Sequence, residues 1–208
     1  IKTGANDFLT KPFNPEEFYC RINHNIESLE LVEKIRDVSN RDYLTGLYSR
    51  RYFFQKGEIL WQQAKVSGDA LSLVIINIDD FKNINDQFGN IFADSVLKKI
   101  SEILNKTLFR FLVARSSGKD FYILLQGLDE NRAAVLIDKI RAIVSKEMFS
   151  FEGEDVFVTC SGGIAHSLTD RLIDQVAIAE DLVASAKASG KNIVFSEDVE
   201  ANDNHNVA

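Results

Sequence analysis

Phe111-Leu112-Val113-Ala114-Arg115 and Phe121-Tyr122-Ile123-Leu124-Leu125-Gln126 flank the polar segment Ser116-Ser117-Gly118-Lys119-Asp120. Two runs rich in apolar and aromatic residues, joined by a short segment that carries a glycine, read as a β-hairpin. Outward from it, residues 71–78 (Leu-Ser-Leu-Val-Ile-Ile-Asn-Ile) form a nearly continuous apolar run, the mark of a strand buried on both faces. Apolar residues recur at helical spacing over 51–65, 91–108, 131–145 and 172–188, whereas 156–165 and 193–195 read as extended. A turn at Thr45-Gly46-Leu47 precedes the first of these helices. Strands and helices therefore alternate, and the expected fold is α/β, an α+β sandwich with a mixed central sheet flanked by helices. No internal repeat is visible.

The 208 residues suffice for one good-sized domain and an appendage. Residues 1–14 are short and turn-rich, and both prolines, Pro12 and Pro15, lie at the end of this zone. Phe18, Ile22, Ile26, Leu29, Val32 and Ile35 recur at spacings of three and four, which predicts a linker helix over 15–40. Asn14 is its expected N-cap and Pro15 sits in its first turn, where a missing N–H costs nothing. An apolar stripe of this kind asks for a partner surface, either the rest of its own domain or a second copy of itself. The main domain is assigned to 41–196, and the polar tail 197–208 is expected to be disordered.

The net charge of −7 argues against a general electrostatic grip on nucleic acid, while leaving room for a local basic pocket. Cys20 and Cys160 stand far apart with no histidine or cysteine at ligand spacing. A disulfide framework or zinc site is therefore not expected, and a reducing compartment fits best. No apolar run reaches the roughly 20 residues that cross a bilayer, and the first residues lack a signal-peptide pattern. The expected setting is the cytoplasm, without membrane contact. His166 has no catalytic neighbour in sequence, and His205 falls in the tail.

Five stretches resemble the GGDEF family in order and spacing. Arg41-Asp42-Tyr43-Leu44-Thr45-Gly46-Leu47-Tyr48-Ser49-Arg50-Arg51 is similar to the family's opening D-x-L-T-G-L-x-N-R-R. Asn77-Ile78-Asp79-Asp80-Phe81-Lys82-Asn83-Ile84-Asn85-Asp86 looks like D-I-D-x-F-K-x-I-N-D, and Gly89-Asn90-Ile91-Phe92-Ala93-Asp94 stands where G-H-x-x-G-D follows. Ser117-Gly118-Lys119-Asp120-Phe121 occupies the place of the signature itself, and Ala186-Lys187-Ala188-Ser189-Gly190-Lys191-Asn192 resembles the closing A-K-x-x-G-R-N. The resemblance implies a nucleotidyl-cyclase-like sheet fold. A second resemblance lies upstream: Gly4-Ala5-Asn6-Asp7-Phe8-Leu9-Thr10-Lys11-Pro12-Phe13 looks like the end of a response-regulator receiver domain. Lys11 would be the lysine that contacts the phosphorylated aspartate, which itself lies upstream of residue 1. The helix 15–40 would then be the receiver's last helix.

The family joins two GTP molecules into cyclic di-GMP, with magnesium neutralising the phosphates. The resemblance places the metal on the first acid of D-I-D, on the backbone carbonyl after it and on the acidic third residue of the signature. Those positions hold Asn77, Ile78 and Lys119 here. One carboxylate has become neutral and another has become an ammonium, so the site is about three charge units more positive than the family pattern. A divalent ion against a fixed ammonium at contact range costs roughly 4 kcal/mol per unit-charge pair at an effective dielectric of ~20. Asp120 keeps a charge with a shorter reach. Catalysis of the family's kind is not expected.

Guanine recognition is better preserved. Asn85 and Asp94 match the positions that read the base, Phe81 and Lys82 lie where backbone N–H groups meet phosphate, and Lys187 matches a phosphate-contacting lysine. Lys191 replaces an arginine, keeping the charge and losing the bidentate fork. Ser117 adds a Cβ where the backbone turns beside phosphate. The plainer readings are that Asn85 and Asp94 cap the turns around Gly89, and that Lys119 is a solvated hairpin-tip lysine. Leu108 and Phe111 stand where active members often carry R-x-x-D, so product inhibition at that site is not expected.

The resemblances thus imply a response-regulator output domain in cyclic di-GMP signalling with a degenerate signature. It would act by GTP binding, dimerisation through the linker helix or contact with a signalling protein. The alternatives are an active diguanylate cyclase that holds metal with Asp79, Asp120 and water, and an adaptor that binds no nucleotide.

Overall fold

A computed structural model describes Phe8, Lys11, Pro12 and residues 14–197. The rest of the receiver-like stretch, and the tail from 198 with His205, lie outside the described residues. The chain divides into two units, Ile1–Asn40 and Arg41–Ala208. The first contains α1, Pro15–Asn40, capped by Asn14, whose Oδ1 accepts from the Glu16 N–H at 2.9 Å. The Lys11–Pro12 peptide is cis. Phe18, Ile22, Ile26, Leu29, Val32 and Ile35 along α1 are all exposed.

The second unit runs β1 (Tyr48–Ser49), α2 (Arg50–Ser67), β2 (Leu71–Ile78), α3 (Phe81–Thr107), β3 (Leu112–Ser117), β4 (Asp120–Gln126), α4 (Glu130–Val144), β5 (Met148–Phe151), β6 (Glu154–Phe157), β7 (Cys160–Ala165), α5 (Leu172–Ala188) and β8 (Val194–Ser196). Six strands form one mixed sheet in the order β1-β3-β4-β2-β7-β8, and β5 and β6 pair as a separate hairpin. The pairs β1·β3 and β7·β8 are parallel and the others antiparallel. This is the expected mixed sheet flanked by helices. No helix of the described residues is long and apolar enough to cross a membrane.

β2 is central, and every one of its residues is buried. Because side chains alternate between the two faces of a strand, Val74, Ile76 and Ile78 enter one core with α3 and α4. Leu71, Leu73 and Ile75 enter the other, with Phe53 and Trp61 of α2 and Val176, Ala179 and Leu182 of α5. Glycine permits the closest approach. A Cβ on Gly163 of β7 would stand 2.3 Å from the Ala179 carbonyl oxygen, so only glycine lets α5 lie this close to the sheet.

Four differences from the sequence reading have physical causes. β1 is too short to leave a periodic signal. Residues 156–165 are not one strand but two, since β6 belongs to the hairpin and β7 to the main sheet. The helix expected over 91–108 begins at Phe81, bent at Gly89, where φ 79° and ψ 167° interrupt the helical backbone. Glu197, assigned to the tail, is held in place: its Oε2 accepts from the Ser167 N–H at 2.9 Å and from the Ser167 hydroxyl at 2.6 Å. His166 acquires two carboxylate neighbours, with Nδ1 at 3.1 Å from Glu197 and Nε2 at 3.6 Å from Glu130. This group sits at the Ala165 end of β7, opposite the end that meets Ile78.

Candidate functional site

The β3–β4 hairpin closes over the end of β2. Gly118 turns it with φ 46°, a left-handed conformation that glycine adopts without strain. Arg115 fixes the turn from inside: its Nε and Nη2 donate to the Gly118 carbonyl at 3.0 and 2.8 Å, and its Nη1 reaches Asp42 at 3.2 Å. Asp42 also accepts from the Thr45 N–H at 3.0 Å and the Thr45 hydroxyl at 2.7 Å. Burial pushes the Asp42 carboxyl up, but Thr45 and the Arg115 guanidinium outweigh it and hold the group below its ordinary value. The opening motif thus anchors the signature hairpin. The sequence reading gave neither Asp42 nor Arg115 a role, because their contact joins positions 73 residues apart.

Beside the hairpin lies a cleft of about 450 Å³. Phe81, Lys82, Asn85 and Asp94 of α3 line it together with Ser117, Gly118, Lys119 and Asp120. The bend at Gly89 puts Asn85 on one helical segment and Asp94 on the next, both facing this space. Among the described residues neither side chain makes an intramolecular hydrogen bond, so neither caps the bend. Arg115, Asn90 and Leu97 also line the cleft, unassigned by the sequence. A larger hollow of about 550 Å³ at the β1 edge shares only Phe111 with the expected positions. Leu108 is buried in the core, and Phe111 packs against it.

At the inner end of the cleft, Lys119 and Asp120 meet an adjoining hollow that Asn77 and Lys187 line together with Asp120. Asn77 lies directly across from Asp120 in the β2–β4 register. It shares the face of Leu73 and Ile75, so its amide points toward α5. There the Lys187 ammonium donates to the Asn77 Oδ1, while the Asn77 Nδ2 donates to the Asp120 Oδ1. The Ser117 hydroxyl completes the row, donating to the Asp120 Oδ2 at 3.2 Å. Burial, and next the nearby Lys119, push the Lys187 ammonium down; Asp79, Asp120 and Asp80 oppose this. Behind the row, the Tyr122 hydroxyl donates to Glu180 at 2.7 Å, and burial raises its pKa to about 12.

The other acids here are engaged. Asp79, 3% exposed, accepts from the Thr159 hydroxyl and the Ser161 hydroxyl, both at 2.8 Å, and from the Asn192 N–H at 3.0 Å. Asp80 takes the Lys191 ammonium on both oxygens at 2.7 and 2.8 Å. Lys191 is therefore not among the residues lining the cleft, and Lys187 lines the adjoining hollow with Asn77 and Asp120. The donor set does not fit magnesium. Asn77 has one oxygen and spends it on an ammonium, Lys119 brings a second positive charge, and Asp120 is the single carboxylate left at the metal position.

The family model "Diguanylate cyclase, GGDEF domain" matches residues 39–193. The chain is 30% identical over 209 residues to Response regulator PleD of Caulobacter vibrioides, a match covering 95% of this chain and 46% of that protein. The chain thus spans less than half of that relative. Among solved structures, the coiled coil and GGDEF domain of DgcB from Caulobacter crescentus, in complex with c-di-GMP, superposes with a TM-score of 0.79 at 23% identity, over 87% of this chain and 98% of that one. Diguanylate cyclase SiaD from Pseudomonas aeruginosa, in complex with its activator SiaC, gives a TM-score of 0.75 at 26% identity over 86% of this chain and 71% of that one.

Proposed function

The chain belongs to the GGDEF family of diguanylate cyclase domains, and from that premise we propose that it is a response-regulator output domain in cyclic di-GMP signalling that binds GTP without joining two molecules of it. The observation that carries this reading is the Lys187–Asn77–Asp120 row. A residue that should lend a negative oxygen to a metal ion is instead a neutral bridge between an ammonium and a carboxylate. The base end of the same cleft keeps Asn85 and Asp94 in its lining, ready to meet the hydrogen-bonding edge of guanine.

An active cyclase that recruits Asp79 and Asp120 is less well supported. Asp79 is buried and already accepts three hydrogen bonds, so turning it toward a metal would leave Thr159, Ser161 and Asn192 without an acceptor. The response-regulator assignment draws on the stretch ending at Lys11-Pro12 and on the reach of the PleD match across 95% of the chain. The exposed apolar residues of α1 suit contact with a second copy or a signalling protein. A cytoplasmic location belongs to the same proposal.

Isothermal titration with GTP and ATP, alongside chromatography of a prolonged GTP incubation, tests the reading. It expects a Kd for GTP of about micromolar order, weaker binding of ATP and no cyclic di-GMP. Robust turnover would overturn it in favour of the cyclase, and the absence of any GTP binding would point to an adaptor.

A further inference from the structure

Resting on the GTP-binding reading, we infer that the cleft takes the free nucleoside triphosphate rather than its magnesium complex, with lysine ammonium groups supplying the charge that a metal supplies in the family pattern. The misfit of the donor set to magnesium is the starting point. The cations near the inner end of the cleft make it more than a loss.

Lys82 and Lys119 both line the cleft, and among the described residues neither carries an ion pair. Lys187 stands behind Asn77, its ammonium donating to the Asn77 Oδ1. Of the nearby acids, Asp80 is paired with Lys191, whereas Asp79 and Asp120 are hydrogen-bonded to neutral groups and to the Asn77 amide and keep their charge. Lys82 and Lys119 are thus two ammonium groups at the cleft that no carboxylate of the described residues pairs with. A polyanion in the cleft meets these two ammonium groups, and the more charge it carries the stronger the attraction. Chelated magnesium cancels part of a triphosphate's charge. It also brings a second positive ion to Lys119 and finds only one carboxylate, Asp120, to coordinate it. The free triphosphate is the better ligand on both counts.

The distinguishing signature is the sign of the magnesium effect. In titrations of the unaltered protein with GTP, binding persists in EDTA and weakens as magnesium is added, by about tenfold when the nucleotide is fully chelated. Lys119→Ala, at an accessible turn, loses about tenfold of the affinity measured in EDTA. Asn77→Asp combined with Lys119→Glu reverses the sign, so that binding strengthens with magnesium. Melting temperatures of the variants without nucleotide separate a binding loss from a folding loss. Binding that appears only with magnesium, or that magnesium strengthens in the unaltered protein, overturns the inference and leaves the GTP-binding reading intact. No binding with or without magnesium overturns both.

Discussion

The two ends of the candidate cleft differ in how their polar groups are spent. At the outer end Asn85 and Asp94 stand on either side of the Gly89 bend with their polar groups uncommitted. At the inner end Asp120, and behind it Asn77, Lys187, Asp79 and Asp80, are bound into contacts with one another and with neighbouring segments. Uncommitted polar groups at a cleft are available to a ligand; committed ones hold the scaffold. On the proposed reading, the positions that would meet a base stay available while the position that would hold a metal is part of the protein's own framework.

The strongest way to break this contrast is to rebuild the inner end. Asn77→Asp with Lys119→Glu is expected to raise magnesium-dependent cyclic di-GMP formation by about two orders of magnitude or more over the unaltered chain, read by chromatography. Unchanged output would mean that the inner end is not what limits the reaction. Next in size, Asp79→Ala should lower stability by about 2–4 kcal/mol in denaturant melts, because it strands the buried Ser161 hydroxyl and two half-buried donors, the Thr159 hydroxyl and the Asn192 N–H. A neutral result would remove Asp79 from its structural role and return it to the candidates for metal binding.

At the outer end, Asp94→Ala should weaken GTP by about tenfold to a hundredfold while leaving the melt unchanged, since this exposed side chain supports nothing within the fold. A shifted melt with intact binding would reverse the contrast. The smallest effect concerns the hairpin's anchor. Asp42 has a folded pKa below its ordinary 3.8, so its stabilising contribution is complete above that value and disappears as the pH falls through the lowered one. Hydrogen exchange of the 117–120 amides should quicken over that acid range, and Asp42→Asn should remove the pH step.

Several of these features were legible in the residues alone. The hairpin was readable because two apolar runs enclosed a glycine, and β2 because an uninterrupted apolar run is burial on both faces. The start of α3 at Phe81 does not show in the apolar spacing, because the bend at Gly89 resets the helical phase and the spacing before it does not continue the spacing after it. The split of 156–165 into β6 and β7 was hidden for a different reason: both halves are extended, and only their pairing partners tell them apart. Lys191 illustrates the limit for site residues. Its charge was evident, but its partner Asp80 lies 111 residues away.

By itself, the sequence determined which chemical groups stand at each matched position: an amide and an ammonium in place of two acids, and an intact Asn85 and Asp94. Residue identity fixes charge and hydrogen-bonding capacity wherever the chain goes. What the tertiary structure alone decided is how those groups are spent. Strand alternation and the β2–β4 register turn Asn77 toward α5, where partners 43 and 110 residues distant meet on its single amide. No local pattern encodes that meeting, because it depends on the packing of a helix against a sheet far along the chain.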